Sequence, residues 1–263
     1  MRPAAVRAKG LVLAYGSTVA LDTSSFEIPA GGISILIGPN GSGKSPLLGA
    51  IAGLLEPVDG SIEVTTIGDS AQRISYVLQS TKVNEALPVT VREVVSMGRY
   101  ASASGRRLDA NDQAVVEDAM RRMGITDLAG SHLRELSGGQ RQRVFVAQGL
   151  AQEHEMLLLD EPLTGLDLTS ALAIDKVIHD ETQTGCTVVM TTHDLAEAQV
   201  ADHVLLLSGR VVASGTPDEV LTVDNLTAAY GPNLLHVEGE RLFIDDPAHR
   251  PVPGRHVHRE RSG

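Results

Sequence analysis

The sequence predicts an α/β fold: a core built on a parallel sheet, an antiparallel β subdomain at the front of the chain, and an inserted helical subdomain. Three observations carry that prediction. Three short apolar runs, ISILIG from Ile33, MLLLDE from Met156 and TVVMTTH from Thr187, read as strands buried on both faces, as in a parallel sheet. Each is followed by a turn and then a helical pattern, the strand–helix–strand rhythm of α/β domains. Between Val83 and about Leu150 the strand signals vanish and helical spacing takes over.

The elements follow in order. Leu11, Leu13, Leu21, Phe26 and Ile28 alternate with polar residues and predict antiparallel strands. A helix from Asp112 to Met123 carries Val115, Val116, Ala119, Met120 and Met123 at helical spacing, with Gly124 as its stop. The polar stretch ASASGRR, Ala101 to Arg107, reads as a loop. A second helix, Leu168 to Thr184, is expected to bury Leu168, Leu172, Val177 and Ile178, and Gly185 ends it. Leu205-Leu206-Leu207, Ser208-Gly209 and Val211-Val212 read as a hairpin. This gives a core of residues 1–82 and 151–231, a helical subdomain of 83–150, and a partly flexible C-terminal extension of 232–263.

Composition narrows the function. An apolar fraction of 42% with 21% charged suits a globular protein, and the single cysteine, Cys186, excludes an internal disulfide framework and suits a reducing cytoplasm. MRPAAVRAKG has no signal-peptide core, and no run approaches the roughly 20 apolar residues that span a bilayer. The chain is therefore expected to be soluble, with any membrane role reached through a partner. A net charge of −11 disfavours nucleic acid, which asks for a basic stripe. The exception is the tail, where Arg250, Arg255, Arg259 and Arg261 mix with His249, His256 and His258. It reads first as a solvated terminus, with metal binding as the sharper reading.

Three motifs carry chemistry. Gly38-Pro39-Asn40-Gly41-Ser42-Gly43-Lys44-Ser45 has the Walker A pattern between a predicted strand and a predicted helix. Its glycines let backbone N–H groups face phosphate oxygens, Lys44 adds a point charge, and the Ser45 hydroxyl can take a Mg2+ ligand position. Met156 to Glu161 fits Walker B: an apolar strand ends in Asp160, which can hold Mg2+ through water, and Glu161, which can polarise the attacking water. Leu136-Ser137-Gly138-Gly139-Gln140 sets a serine hydroxyl and two glycines at a helix N-terminus, an anion site in its own right, although the same residues also suit a helix cap.

These motifs resemble the ATP-binding-cassette (ABC) family, over about residues 8 to 231. The resemblance implies the P-loop NTPase fold with a RecA-like core, and ATP and Mg2+ as ligands. It implies a head-to-tail homodimer formed on ATP binding, in which Ser137, Gly138, Gly139 and Gln140 of one chain close over the ATP of the other. On the same resemblance Glu161 is the catalytic base and His193, in TTHD, the switch histidine that contacts the γ-phosphate. Gln79 is the glutamine that meets Mg2+ and the water and reports to a membrane partner. Asp167, in LTGLD, crosses the dimer interface, and Tyr15 stacks on adenine. With only seven aromatics in the chain, Tyr15 also suits a place in the core.

VREVVSMGRY, from Val91, and VLTVDNLTAAYG, from Val220, are similar to the ATPases of manganese and zinc importers, with iron-chelate ATPases close behind. The implied partners are membrane permease subunits and an extracytoplasmic substrate-binding protein, and the implied location is peripheral, at the cytoplasmic face of the membrane. Cassette ATPases acting on ribosomes or DNA usually carry two cassettes or a coiled-coil insertion, and neither is present. Gln148 and Gly149 depart from the family's usual Arg-Ala, and Gly149 is expected to cost its helix around 1 kcal/mol.

Pro46 departs more sharply, because the family usually has threonine there. Proline has no N–H, so one phosphate contact is expected to be missing. The helix itself is expected to survive, since a proline in the first turn breaks no internal hydrogen bond. Strain is expected at Ser45, which precedes it. Binding is therefore expected to persist but weakly and with a raised Mg2+ requirement, and a weakly hydrolysing nucleotide-binding subunit is the alternative reading.

Overall fold

The computed structural model describes residues 2–65, 73–78, 88–231, 235–238 and 241–244. Gln79 and the Arg/His tail lie outside the described residues.

Strands β1 (Ala4–Tyr15) and β2 (Thr18–Pro29) form an antiparallel hairpin. β3 (Ile33–Ile37) enters a second sheet and runs through a loop into helix α1 (Lys44–Ile51). β4 (Asp59–Val64) returns to pair with β1, so the first sheet has the order β2-β1-β4. β5 (Ile74–Val77) precedes four helices: α2 (Val91–Met97), α3 (Tyr100–Ala103), α4 (Ala110–Arg122) and α5 (Gly138–Leu150). Then come β6 (Met156–Leu159), α6 (Leu168–Gln183), β7 (Thr187–Thr192), α7 (Leu195–Gln199), β8 (His203–Leu207) and β9 (Val211–Gly215). α8 (Pro217–Val220), α9 (Val223–Tyr230) and a hairpin of β10 (Leu235–Glu238) with β11 (Arg241–Ile244) complete the described chain. The sequence carried no expectation of that last hairpin.

The main sheet runs β5-β6-β7-β3-β8-β9, parallel except for β9, which pairs antiparallel with β8. Alternate residues of its strands feed two cores. Leu36, Leu158, Val189 and Leu205 meet Leu11, Leu13, Leu47 and Leu48 on one face. Ile35, Leu157, Leu159, Val188 and Met190 meet Val94, Met120, Val144, Ile174 and Val177 on the other. Burial on both faces explains why these strands read as unbroken apolar runs. Truncating one of these leucines to alanine costs about 2–5 kcal/mol.

The helices correct four expectations. α4 begins at Ala110, two residues earlier than its apolar pattern, because Asp109 caps it and Asp112 closes a capping box. Asp112 is fully buried: Arg106 and Arg99 hydrogen-bond its two oxygens and hold its carboxyl well below the usual range. Arg99 also donates to the Ala151 carbonyl and to Glu153, at 3.1 Å each, which joins α2, α4 and the end of α5. Part of the ASASGRR stretch is helical, since Tyr100 to Ala103 form the turn α3 before Ser104 takes a left-handed conformation. On α6 the buried face is Ser170, Ile174, Val177, Ile178 and Glu181. Leu168 and Leu172 point to solvent, because at about 100° per residue they fall on the side of the helix opposite that buried face.

The fourth correction concerns Gly149. A Cβ there would lie 2.6 Å from a Val77 methyl and 2.9 Å from Ser75 Oγ, and Ser75 Oγ donates to the Gly149 carbonyl at 3.0 Å. The missing side chain lets α5 press against β5, so glycine has a packing reason that the sequence did not reveal.

Candidate active site

The Walker A loop links the carboxyl end of β3 to α1. A Cβ on Gly38 would sit 2.1 Å from the Leu207 carbonyl oxygen, and Gly43, the residue before the helix, has φ 101°, so both positions require glycine. Pro39 and Asn40 form the outer part of the loop, Gly41 is exposed, and Ser42 is buried and donates its N–H to the Pro39 carbonyl. Lys44 is buried, and its Nζ donates to the carbonyls of Gly38 at 2.6 Å and Pro39 at 3.1 Å. Burial pushes its pKa down, while Glu161 and Asp160 oppose that shift; those two carboxylates are therefore its electrostatic neighbours.

Pro46 is the third residue of α1, and the Leu47 N–H closes the first turn on the Gly43 carbonyl at 3.0 Å. The helix accommodates proline as expected. Ser45 keeps its helical place within α1, between that closed turn and the loop, although it precedes a proline.

Asp160 follows β6 and is buried, with its N–H on the Val77 carbonyl. Glu161 takes a left-handed backbone, φ 48°, a conformation that costs a non-glycine residue about 1–3 kcal/mol unless its surroundings impose it. Thr191, on β7, supplies part of that constraint. Its hydroxyl accepts the Glu161 N–H and donates to Asp160 Oδ1, both at 2.8 Å. Thr191 was not among the residues singled out from the sequence; its only sequence signal is a polar residue near the end of an otherwise apolar run.

His193 lies one residue past β7 and is exposed, next to Asp194, which caps α7. Tyr15 ends β1 with its side chain largely exposed, not in the core. Ser137 is the N-cap of α5 and forms a reciprocal capping box with Gln140, at 3.2 and 2.9 Å. Gly138 is exposed; Gly139 is buried against α6, where an added Cβ would lie 2.6 Å from Asp167 Oδ2 and Ser170 Oγ. Asp167 caps α6 through Ser170, at 2.9 Å to each of its N–H and hydroxyl, and the Ser170 backbone bond holds its carboxyl below the usual range. The described residues thus form two groups. Lys44, Asp160, Glu161 and Thr191 gather where β3, β6 and β7 end, and Ser137, Gly139 and Asp167 meet where α5 and α6 begin.

A cluster elsewhere, His154, Glu181 and Cys186, brings potential metal-ligand atoms within 4.8 Å of one another. Its ligands are already engaged. His154 bonds the Gln152 carbonyl through Nδ1 at 2.9 Å and Glu181 through Nε2 at 3.0 Å, and Arg122 takes the other Glu181 oxygen. Two acceptors on one imidazole require both nitrogens to carry protons. Burial opposes that charge, but the bonds to Cys186 and Glu181 raise the histidine's pKa to about 10. The cluster is a buried ionic clamp.

The model for the ABC transporter family matches residues 21–164. The chain is 37% identical to the chelated iron transport system membrane protein YfeB of Yersinia pestis, over 88% of this chain and 80% of that one. It is 35% identical to the manganese transport system ATP-binding protein MntA of Synechocystis sp. (strain ATCC 27184 / PCC 6803 / Kazusa), over 84% and 88%. Among solved structures it superposes with a TM-score of 0.77 and 30% identity on an inward-facing ABC transporter described as of metal-chelate type, covering 92% of this chain and 96% of the other. Fold, loop geometry and these matches agree: the chain belongs to the ABC transporter family, as an ATP-binding subunit that hydrolyses ATP.

Proposed function

We propose that this chain energises a membrane permease for metal-ion uptake, most simply manganese, by cycles of ATP-driven dimer closure and hydrolytic reopening. The observation that carries the catalytic part is the gathering of Lys44, Asp160 and Glu161 at the ends of three parallel strands. Loop amides and Lys44 bind the phosphates, Tyr15 stacks on adenine, and Glu161 draws the proton from the attacking water as it meets the γ-phosphorus in line with the leaving oxygen. His193 contacts the γ-phosphate. Ser137, Gly138, Gly139, Gln140 and Asp167 act across a homodimer interface.

The Ser45 hydroxyl and the Asp160 carboxylate offer only hard oxygen donors, a set that fits Mg2+, with Gln79 as a further oxygen ligand outside the described residues. When bound, Mg2+ neutralises charge on the β- and γ-phosphates.

Among the described residues no helix is long and apolar enough to cross a membrane. A groove of ≈ 300 Å³ between β5, α2 and α5, lined by Leu78, Met97, Leu133, Phe145 and Gln148, supports docking of a permease helix. We assign the coupling role to residues 83–107, within a helical subdomain of 83–150, and a peripheral place at the cytoplasmic face. An extracytoplasmic binding protein would deliver the cargo. The manganese protein from Synechocystis supports that ion, and the YfeB protein supports iron chelates as the second reading. Hydrolysis by the chain in complex with its permease should rise with manganese; a rise with iron chelate alone favours the second.

The catalytic reading is tested by Glu161→Gln. Turnover should vanish while an ATP-bound dimer accumulates on gel filtration, and hydrolysis at the parental rate would remove Glu161 as the base.

A further inference from the structure

We propose that Thr191 is a positioning residue for ATP hydrolysis, whose hydroxyl ties the Asp160 carboxylate to the Glu161 backbone so that the two acidic residues are held as one unit. The proposal rests on the roles given above to Asp160 and Glu161.

The register sets up the contact. β6 and β7 pair in parallel with Leu159 opposite Met190, so Asp160 and Thr191 occupy the next position and the same face. Thr191 is fully buried in a strand whose preceding residues are Val188, Val189 and Met190. A hydroxyl in that place needs both its donor and its acceptor satisfied. It finds both in the proposed site, donating to Asp160 Oδ1 and accepting from the Glu161 N–H, each at 2.8 Å. Thr192, one residue on, serves a different purpose, accepting the Asp194 N–H beyond His193.

Two consequences follow. Engaging Oδ1 orients the carboxylate, so that Oδ2 would be the oxygen offered to Mg2+ when it is bound. Anchoring the N–H of a residue at φ 48° fixes the direction in which the Glu161 side chain leaves the backbone. Threonine is stiff at χ1, so both bonds are held in one arrangement before nucleotide arrives. Valine has nearly the same shape and makes neither bond.

The test compares Thr191→Val, Thr191→Ser and Glu161→Gln in the full chain, by kcat and KM for ATP and by Mn2+ binding with ADP, read from the loss of the free-ion EPR signal. Thr191→Val should lower kcat about tenfold or more and weaken Mn2+ binding about tenfold, with KM within about twofold, the range expected when a partner behind a metal ligand is lost. Serine, which restores the hydroxyl, should recover most of both. If Thr191→Val keeps parental kcat and Mn2+ affinity while Glu161→Gln is inactive, the positioning role is overturned and the site assignment stands. If valine and serine lose kcat, KM and Mn2+ binding alike, the residue is structural only and the proposal fails. If Glu161→Gln still turns over, the underlying assignment falls and the proposal with it.

Discussion

At residue 46 the proline leaves the phosphate loop without one N–H, where the family resemblance implies threonine. A hydrogen bond to a charged group is worth roughly 1.5–3 kcal/mol, about one to two decades of affinity. Ser45 stays helical, so the loss falls on nucleotide binding and not on the proposed metal ligand. Pro46→Thr is therefore expected to tighten ATP binding by about tenfold or more in calorimetry. The half-saturating Mg2+ for hydrolysis should move little. No change in affinity would show that the loop reaches the phosphates without that amide. If the parent binds no ATP and the threonine variant does, the parental loop is crippled.

Among the elements, α5 shows propensity and packing in opposition. By propensity Gly149→Ala should stabilise the helix by around 1 kcal/mol. By packing, the new methyl group meets a Val77 methyl at 2.6 Å and Ser75 Oγ at 2.9 Å, and neither can swing away like the tip of a long side chain. Overpacking costs typically 1–3 kcal/mol, so packing wins. The variant should melt a few degrees below the parent, and a higher melting temperature would mean that β5 yields. Gly98 makes a matching approach, since a Cβ there would lie 2.3 Å from the Gln148 carbonyl oxygen. α5 thus packs closely on both α2 and β5. The segment proposed to meet the permease and the strand that leads to Gln79 share this one helix.

For the whole molecule, the proposed coupling rests on the groove between β5, α2 and α5, where Leu78 and Met97 present apolar surface to solvent. Met97→Glu should lower permease-stimulated hydrolysis by about fivefold or more, the scale of one well-placed interface residue. Basal hydrolysis should stay within about twofold, because Met97 lies outside the proposed catalytic group. Equal loss of both rates would move the segment into the active site.

Much of this architecture was legible because it is written locally. A strand buried on both faces has to be continuously apolar, so β3, β6 and β7 announced themselves within a residue or two. Phosphate loops need glycine where backbone turns inward, and Gly38 and Gly43 meet that need in the structure. Other features depended on partners remote in the chain. Leu168 and Leu172 have helical spacing, but only the placement of α6 against the sheet decided that Ser170, Ile174, Val177, Ile178 and Glu181 face inward. Asp112 looked like the start of a helix and is a buried carboxylate between two arginines.

By itself, then, the sequence determined the α/β class, the strands β3, β6 and β7 in their order, the phosphate loop, the paired carboxylates after β6 and the capping serine at the start of α5. These depend on residues close together in the chain, where periodicity, turn chemistry and charge act within a few positions. Tertiary structure alone decided that Thr191 joins Asp160 to Glu161, that Gly149 is needed for a close approach, and that His154 bonds Glu181. Each of those depends on atoms brought within about 3 Å by strand register or helix packing, from residues 30, 72 and 27 positions apart in the chain.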